Sequence, residues 1–388
     1  MRTLAIVPGL LLVLLIVFPV WAGQPQETLA QTQDAHHTLS LRVPVAPRPV
    51  KGEGKYHLVY ELYIKNEGQA AVDLKCVEAF DNRAGLPLAH YAGQELLSKL
   101  FAAPDTTPNL HLGAGQQAVV FIWLTLGTEA ELPFSLRHRV SFRGRNYFRT
   151  QTAESQPVLV MRTAPPVLQR PLNGAGWYTI GPENDSAHRR ALLSIEGKLK
   201  LAQRFAIDWV QLDQNGEVAS GDPSNNASYH AYGAEVLAVK DGVVTAIQDG
   251  IPENIPGPTR AVPITLETLP GNYVLMRLAS GQYALYAHLQ PGSLRVSPGD
   301  RVKHGQVLGL VGNSGNSTMP HLHFHLCNAN SPLASEGLPF VFESFDVTQD
   351  GLNWEPRQLE LPLEGAIIRF LNERLSWASH TWRKLLNG

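Results

Sequence analysis

Runs of β-branched and aromatic residues recur along most of this chain and predict a protein built mainly of β-strands. Residues 57–65 form one such run, which ends at the turn signal Asn-Glu-Gly over residues 66–68. Residues 119–126 and 136–142 repeat the pattern. Short strands at this spacing predict a small β-sandwich over residues 41–160. Because catalytic residue types do not cluster in it, an accessory or binding role is favoured for this region.

A Pro-containing connector, residues 157–171, separates this region from a second strand-rich region over residues 172–350. An Asp-Gly dipeptide (residues 241–242) stands there between two apolar runs, 236–240 and 243–247. Asp-Gly in this position is a strong signal for a two-residue turn, so we expect a β-hairpin that joins the two runs.

The C-terminal end follows a helical period, with apolar side chains at Ile367, Ile368, Leu371, Leu375 and Trp382. This spacing predicts a short amphipathic helix within residues 362–388. Docking of that helix on the protein itself is favoured over binding to a membrane or to a partner.

The N-terminal residues 1–22 have the pattern of an export signal. Arg2 precedes an apolar core over residues 10–17, and residues 20–22 permit cleavage before Gly23. The alternative is an uncleaved membrane anchor, but Pro and Gly residues interrupt the apolar run. We therefore expect export to the periplasm, the cell envelope or the exterior, with no stable membrane insertion after cleavage.

Composition and charge narrow the function classes. The 388 residues carry a net charge of −2, with 17% charged residues, so a polyanionic partner such as nucleic acid is not indicated. The two cysteines, Cys76 and Cys327, lie in different predicted regions. Two buried free thiols are favoured over a disulfide between them.

The sharpest chemical feature is a run in which histidines alternate with apolar residues over 320–326. A period of two indicates a strand, so His321 and His323 share one face about 7 Å apart, and His325 follows one step further on. Three alternating histidines favour metal binding or catalysis over polar residues on a solvated sheet face. His325 is expected either beside that site or beyond its rim.

Several motifs resemble segments of the lysostaphin/LytM-type zinc metallopeptidases, and they occur in the order found in that family. The resemblance covers roughly residues 205–330. The matching segments are Phe205-Ala206-Ile207-Asp208, the run over 232–244, Tyr286-Ala287-His288-Leu289, the turn over 297–306, and the loop and HxH strand over 308–324.

The resemblance implies a fold, a cofactor and a set of roles. The fold would be an antiparallel β-sheet metallopeptidase core of the duplicated hybrid motif type, here preceded by the β-sandwich and followed by a short helix. Asp208 and His323 would be ligands of Zn2+, and His288 and His321 would assist catalysis. The implied substrate is the peptide of bacterial peptidoglycan.

One departure from the family pattern concerns Arg204, four residues before Asp208, where the family has a histidine ligand. Arginine stays protonated and cannot bind zinc. Three outcomes follow: Arg204 replaces the metal through a salt bridge to Asp208, the metal binds weakly on two ligands and water, or a third ligand comes from elsewhere. A hairpin turning at residues 196–197 would bring His188 opposite residue 204 or 205, and His230 is a weaker choice.

The sequence therefore leaves two functions open. The first is an exported zinc metalloendopeptidase acting on peptide cross-links of peptidoglycan, with a groove lined by Tyr232, Asn313 and Asn316 holding the substrate peptide. The alternative is a catalytically impaired domain of the same fold that binds the cell wall or activates another hydrolase. Arg204 favours the alternative. The presence of the other site residues favours the enzyme; these are Asp208, His288, His321 and His323.

Overall fold

A computed structural model describes residues 39–101, 107–144 and 149–370 of the chain. All of them fall within one compact unit, His37–Gly388. The predicted signal peptide, residues 1–22, lies outside the described residues. Within the described ranges, no helix has both the length and the apolar character needed to cross a bilayer.

The first part of the chain folds into a four-stranded and a six-stranded antiparallel sheet. The runs predicted over 57–65, 119–126 and 136–142 all lie in strands, and apolar residues of both sheets pack into one shared core. The predicted β-sandwich is therefore present. Its strands are β1 (Leu39–Arg42), β2 (Val50–Gly52), β3 (Lys55–Asn66), β4 (Val72–Asp81), β5 (Pro87–Ala92), β6 (His111–Leu112), β7 (Gln117–Leu126), β8 (Ser135–Gly144), β9 (Gln151–Glu154) and β10 (Val158–Leu159).

The rest of the described chain forms an eleven-stranded sheet and two small two-stranded sheets. The long sheet is antiparallel except where β11 pairs with β23. Its strands and those of the small sheets are β11 (Val167–Leu168), β12 (Gly174–Ile180), β13 (Leu193–Ile195), β14 (Lys198–Lys200), β15 (Ile207–Gln211), β16 (Glu235–Leu237), β17 (Gly242–Gln248), β18 (Asn272–Leu278), β19 (Tyr283–Leu289), β20 (Arg301–Val302), β21 (Val307–Leu310), β22 (Leu322–Cys327), β23 (Val341–Thr348), β24 (Glu355–Glu360) and β25 (Ile367–Phe370).

Helical structure is sparse, so the prediction of a mostly β protein is confirmed. The described residues contain two short α-helices and two single 3-10 turns. These are α1 (Gly93–Lys99), α2 (Ala187–Arg190), Glu129–Glu131 and Asn226–Ser228.

Strand β3 links the sandwich to the long sheet because both of its faces are covered. Leu58 packs in the sandwich core, whereas Val59 packs in the second core with Trp209. Burial on both faces explains why β3 is a nearly continuous apolar run rather than an alternating one. Glu61 is the charged exception in the middle of this run, and it is 1% exposed.

The hairpin predicted around residues 241–242 is wrong, although strands lie on both sides of it. Strand β16 pairs with β21, and β17 pairs with β18 and β20. The Asp241 carboxylate accepts hydrogen bonds from the Lys303 ammonium at 2.7 Å and the His304 amide at 2.9 Å. Long-range contacts thus replaced the local pairing that the turn signal favours.

The predicted C-terminal helix is also wrong for its first apolar positions. Ile367 and Ile368 lie in strand β25, which pairs with β12 and β23. Between these two strands, the backbone of β25 finds hydrogen-bond partners on both sides, which the helical spacing of the sequence does not register. The remaining positions of the predicted helix, from Leu371 onward, lie outside the described residues.

Both cysteines are free, as expected. Cys327 is buried in β22, whereas Cys76 in β4 is only half-buried.

Candidate metal centre

Three neighbouring strands at the centre of the long sheet carry the predicted site. Asp208 lies on β15 directly opposite His323 on β22, and β19 flanks β22 on its other side. In an antiparallel pair, directly opposed residues project from the same face, so this register alone brings the carboxylate and the imidazole together. The His323 Nδ1 atom lies 2.8 Å from Asp208 Oδ1.

His288 joins them through an irregularity in β19. Ala287, not His288, is the residue opposed to His323. His288 has a φ of 64°, and the pairing of β18 with β19 shifts register between Asn272 and Val274. A bulge re-aims a side chain, and positive φ in a non-glycine residue is a strained state found at functional sites. The His288 ring consequently lies 5.6 Å from the His323 ring, measured between centroids.

His188 reaches the same point from outside the sheet. The predicted hairpin with its turn at residues 196–197 is confirmed, and its pairs include Leu193 with Lys200. The hairpin does not extend to His188, which lies instead on α2, capped by the Ser186 hydroxyl. The His188 Nε2 atom is 3.1 Å from Asp208 Oδ2.

These groups have the donor set and spacing of a metal site. One ligand atom each from His188, Asp208 and His323 lie within 4.8 Å of one another. Two imidazoles and one carboxylate are a common set of protein ligands for a catalytic zinc, which keeps a fourth position open. The Asp208 side chain retains 19% of its exposure. The residues present therefore fit a zinc ion, at a site that is partly open to solvent.

For Asp208 and His323, burial and neighbouring charges favour the protonation states that a metal needs. Burial alone would raise the pKa of Asp208, but His188 and His321 outweigh it and hold that pKa well below its usual value. Burial lowers the pKa of His323. An ionised carboxylate and a neutral imidazole are the forms that bind metal ions.

Backbone carbonyls fix the tautomers of the other two histidines. A carbonyl can only accept, so His288 Nδ1 donates to Ser314 O at 2.8 Å, and His321 Nδ1 donates to Met319 O at 2.8 Å. Burial and the neighbouring His321 and His323 keep the pKa of His288 well below its usual value. Burial also acts to lower the pKa of His321, but Asp208 outweighs it and raises that pKa. The two histidines thus differ: His288 is neutral with a lone pair on Nε2, and His321 holds an extra proton more readily.

His325 lies beside the site rather than beyond its rim. Its Nδ1 is 2.9 Å from His323 Nε2. If His323 offers Nδ1 to a metal, its proton sits on Nε2 and is donated to His325. A hydrogen bond of this kind orients a metal ligand and selects its tautomer.

Arg204 does not substitute for the metal, so that hypothesis is wrong. Its guanidinium is buried and donates to both carboxylate oxygens of Glu61, at 2.7 to 3.2 Å, to Glu336 at 2.8 Å and to the Gly337 carbonyl at 2.8 Å. Those partners account for all three guanidinium nitrogens, and none of them is Asp208.

Two further expectations need correction. His230 does not join the cluster, because its Nε2 lies 3.3 Å from the Ser220 hydroxyl on a partly exposed loop. Asn313 is fully buried and its side-chain amide donates to Asn226 Oδ1 on the 3-10 turn Asn226–Ser228, so it does not line a groove. Tyr232 remains partly exposed but donates to Glu253 at 2.7 Å, and Asn316 is exposed.

Sequence reasoning missed two residues that shape the site. One is Glu61, whose only signal is a lone charge in the apolar run of β3. The other is Gly181, which has a φ of 127°. A Cβ atom there would lie 2.4 Å from His188 Nδ1 and 2.7 Å from Ala206 O. Gly181 therefore leaves the space that the His188 ring occupies.

Replacing Gly181 by alanine is expected to push His188 away from Asp208 and to lower zinc affinity by about tenfold or more. Gly174→Ala is the matched control, since Gly174 on β12 also has positive φ, at 92°, but its Cβ would meet nothing within 4 Å. Zinc titration of both variants checks this. An equal loss of zinc affinity in the two variants would show that backbone strain at a positive-φ glycine, and not displacement of His188, causes the loss.

An ionised aspartate and two histidines at metal-binding distances, with three more histidines alongside, form a site of the kind found in metal-dependent hydrolases. Residues 227–335 match the model of Peptidase family M23. This confirms the resemblance of this segment to the lysostaphin/LytM-type peptidases. The match includes His288, His321 and His323 and begins after Asp208.

Curated relatives point to the same family. Peptidoglycan DD-endopeptidase ShyA of Vibrio cholerae is 32% identical over 108 residues, which cover 26% of this chain and 25% of that protein. The DD-carboxypeptidase/endopeptidase Mpg of Neisseria meningitidis is 46% identical over 54 residues, which cover 14% and 12%. The chain thus spans a quarter or less of these relatives' length. The catalytic domain of lysostaphin from Staphylococcus simulans is 22% identical over 43% of this chain and 88% of that domain, with a TM-score of 0.23.

Proposed function

We propose that this protein is an exported zinc metallopeptidase that hydrolyses peptide cross-links in bacterial peptidoglycan. The observation that carries the proposal is the convergence of His188, Asp208 and His323 within 4.8 Å. The family match and the relatives, which are named as peptidoglycan endopeptidases, support the reaction class and the substrate. The export signal in residues 1–22 supports the location, because peptidoglycan lies outside the cytoplasm.

His188, Asp208 and His323 would hold the zinc ion. When bound, zinc supplies a Lewis acid that polarises a carbonyl and activates water at neutral pH. Asp208 would contribute the negative charge of the ligand set, and the two imidazoles would contribute nitrogen donors. His325 keeps the His323 ring in the orientation that presents Nδ1.

His288 and His321 would divide the proton transfers. His288 is neutral, and the Ser314 carbonyl fixes its proton on Nδ1, so Nε2 is free to accept a proton from the attacking water. In its protonated form, His321 would carry a second proton on Nε2, 3.4 Å from Asp208, whose charge raises the His321 pKa. That proton is available to the leaving amine. The ring centroids of the two histidines are 4.9 Å apart, close enough for both to act on one peptide bond.

The test combines metal analysis with hydrolysis of isolated peptidoglycan by the mature protein. We expect about one zinc per chain, release of free amines, loss of activity with a chelator and recovery on adding zinc. His288→Ala is expected to keep its zinc and lose activity by about 100-fold or more. Zinc without hydrolysis would favour the alternative, a domain that binds the wall or activates another hydrolase. A protein that binds no zinc in excess metal would refute the proposal.

The export part is checked separately. Sequencing the mature protein from its N-terminus is expected to give Gly23 as the first residue, in the envelope or outside the cell. A mature protein that begins at Met1 and stays in the cytosol would contradict it.

A further inference from the structure

Helix α2, which carries His188, is too short to fix its own position. It contains four residues, and its N-terminal cap is one hydrogen bond, from the Arg189 amide to the Ser186 hydroxyl at 3.1 Å. Isolated helices of this length are unstable, so contacts made elsewhere must hold it.

Arg189, the residue next to His188, anchors the helix to the N-terminal sandwich. Its guanidinium is fully buried, forms an ion pair with Glu61 on β3 and donates to the Tyr60 carbonyl at 2.8 Å. It also lies over the Phe121 ring of β7, 4.8 Å from the centroid. While His188 faces Asp208, Arg189 is held by the sandwich.

The same Glu61 carboxylate holds the segment that leads to Asp208. Both of its oxygens accept from Arg204, which precedes Asp208 by four residues. One buried carboxylate thus joins the helix of one predicted ligand to the strand entrance of another. Burial acts to raise the pKa of Glu61, but Arg204 and Arg189 outweigh it and lower that pKa to about 2, so the group is ionised at neutral pH.

We propose that Glu61 of the N-terminal sandwich is a positioning residue for the metal centre, setting His188 relative to Asp208 through Arg189 and Arg204. This rests on the proposed function. It also gives a reason for the arginine at position 204. Glu61, Arg189 and Arg204 form a clamp that holds His188 beside Asp208, where it would replace the missing histidine ligand. A buried ion cluster is a costly way to gain stability alone, and apolar residues would serve as well. A role in positioning His188 and Asp208 accounts for the buried charges of Glu61, Arg189 and Arg204.

The test is a double-mutant cycle on zinc affinity with Glu61→Gln and His188→Ala. Glu61→Gln is expected to weaken zinc binding by about 10- to 100-fold, the range for groups that orient metal ligands. In the His188→Ala background the same change is expected to have no further effect, because its route to the metal is already lost. General destabilisation would instead give the same loss in both backgrounds, and that result would overturn the proposal.

Glu360→Gln is the matched control. Glu360 is also buried and ion-paired, to Lys51 at 3.1 Å, and also joins the sandwich to the long sheet. Zinc affinity close to wild type is expected for it. If Glu61→Gln does not fold, Arg189→Lys serves, because it keeps the charge but loses the fork that binds both Glu61 and the Tyr60 carbonyl. Wild-type zinc affinity in either clamp variant would overturn the proposal.

A metal-free measurement separates this inference from the proposed function. Hydrogen exchange of the amides of residues 189–191 is expected to speed up in Glu61→Gln and to remain at the wild-type rate in Glu360→Gln. If the wild-type protein binds no zinc, the proposed function fails. The exchange experiment still tests whether Glu61 holds helix α2 in place. Unchanged exchange in Glu61→Gln would refute the clamp whatever the metal result.

Discussion

Replacing His188 by alanine is expected to lower zinc affinity by at least about tenfold and to lower peptidase activity at limiting zinc in parallel. The reason is the ligand count. With His188 gone, Asp208 and His323 are the two remaining members of the group whose ligand atoms lie within 4.8 Å. Arg204 cannot replace it, because the guanidinium is bound to Glu61 and Glu336 and stays protonated. Competition titration with a chromophoric chelator measures the change.

His230→Ala is the control for this prediction. His230 lies in the same part of the chain but bonds to Ser220 on a loop. Its removal is expected to leave zinc affinity within about twofold of wild type, against the tenfold or greater loss set for a ligand. Unchanged affinity in His188→Ala would mean that the third ligand is not His188. A loss in both variants of equal size would point to nonspecific binding of the metal by histidines.

Arg204→Met is expected to reduce the free energy of unfolding by about 3–5 kcal/mol, the usual cost of removing one partner from a buried ion pair. Arg204 is 3% exposed, and burial alone would lower its pKa, but Glu61 and Glu336 outweigh this and raise that pKa. Without Arg204, the Glu61 carboxylate keeps a single cationic partner, Arg189, in a buried setting. Urea-induced unfolding of the metal-free protein measures the loss.

Arg295→Met is the matched surface control for the Arg204 variant. Arg295 pairs with Glu235 at 3.5 Å, and both side chains are about half exposed. Solvent-exposed pairs contribute about 0–1 kcal/mol, so a small change is expected. If Arg204→Met proved no more costly than Arg295→Met, the buried network would not be holding the two parts of the chain together.

The sequence predicts the fold class and the core of the site because their signals are local. Strand residues alternate or run continuously within one segment, so β3, β7 and β22 are visible without knowing their partners. The placement of His321 and His323 on one face follows from the period of a strand. Asp208 and His288 come from the resemblance, because their positions in a family motif carry information that spacing alone does not.

Strand pairing is harder to predict from sequence because partners compete. The Asp-Gly signal at residues 241–242 is a genuine turn signal, yet Asp241 bonds to the turn at Lys303 and His304 and the flanking strands pair elsewhere. Ile367 and Ile368 have helical spacing with later residues, but they lie in β25, which pairs with β12 on one side and β23 on the other. In both places, hydrogen bonds to distant strands outweigh a local preference.

By itself, the sequence determined that this is a mostly β protein with a histidine-rich strand and an arginine where the family pattern has a metal ligand, and it predicts an export signal. Only the tertiary structure decided what that arginine does and which residue faces Asp208 instead. Arg204 turns toward Glu61, 143 residues away in sequence, and His188 arrives on a helix held by the same carboxylate. The physical reason is that buried charges take whatever partners the folded chain brings within reach, and no local pattern of residues records that choice.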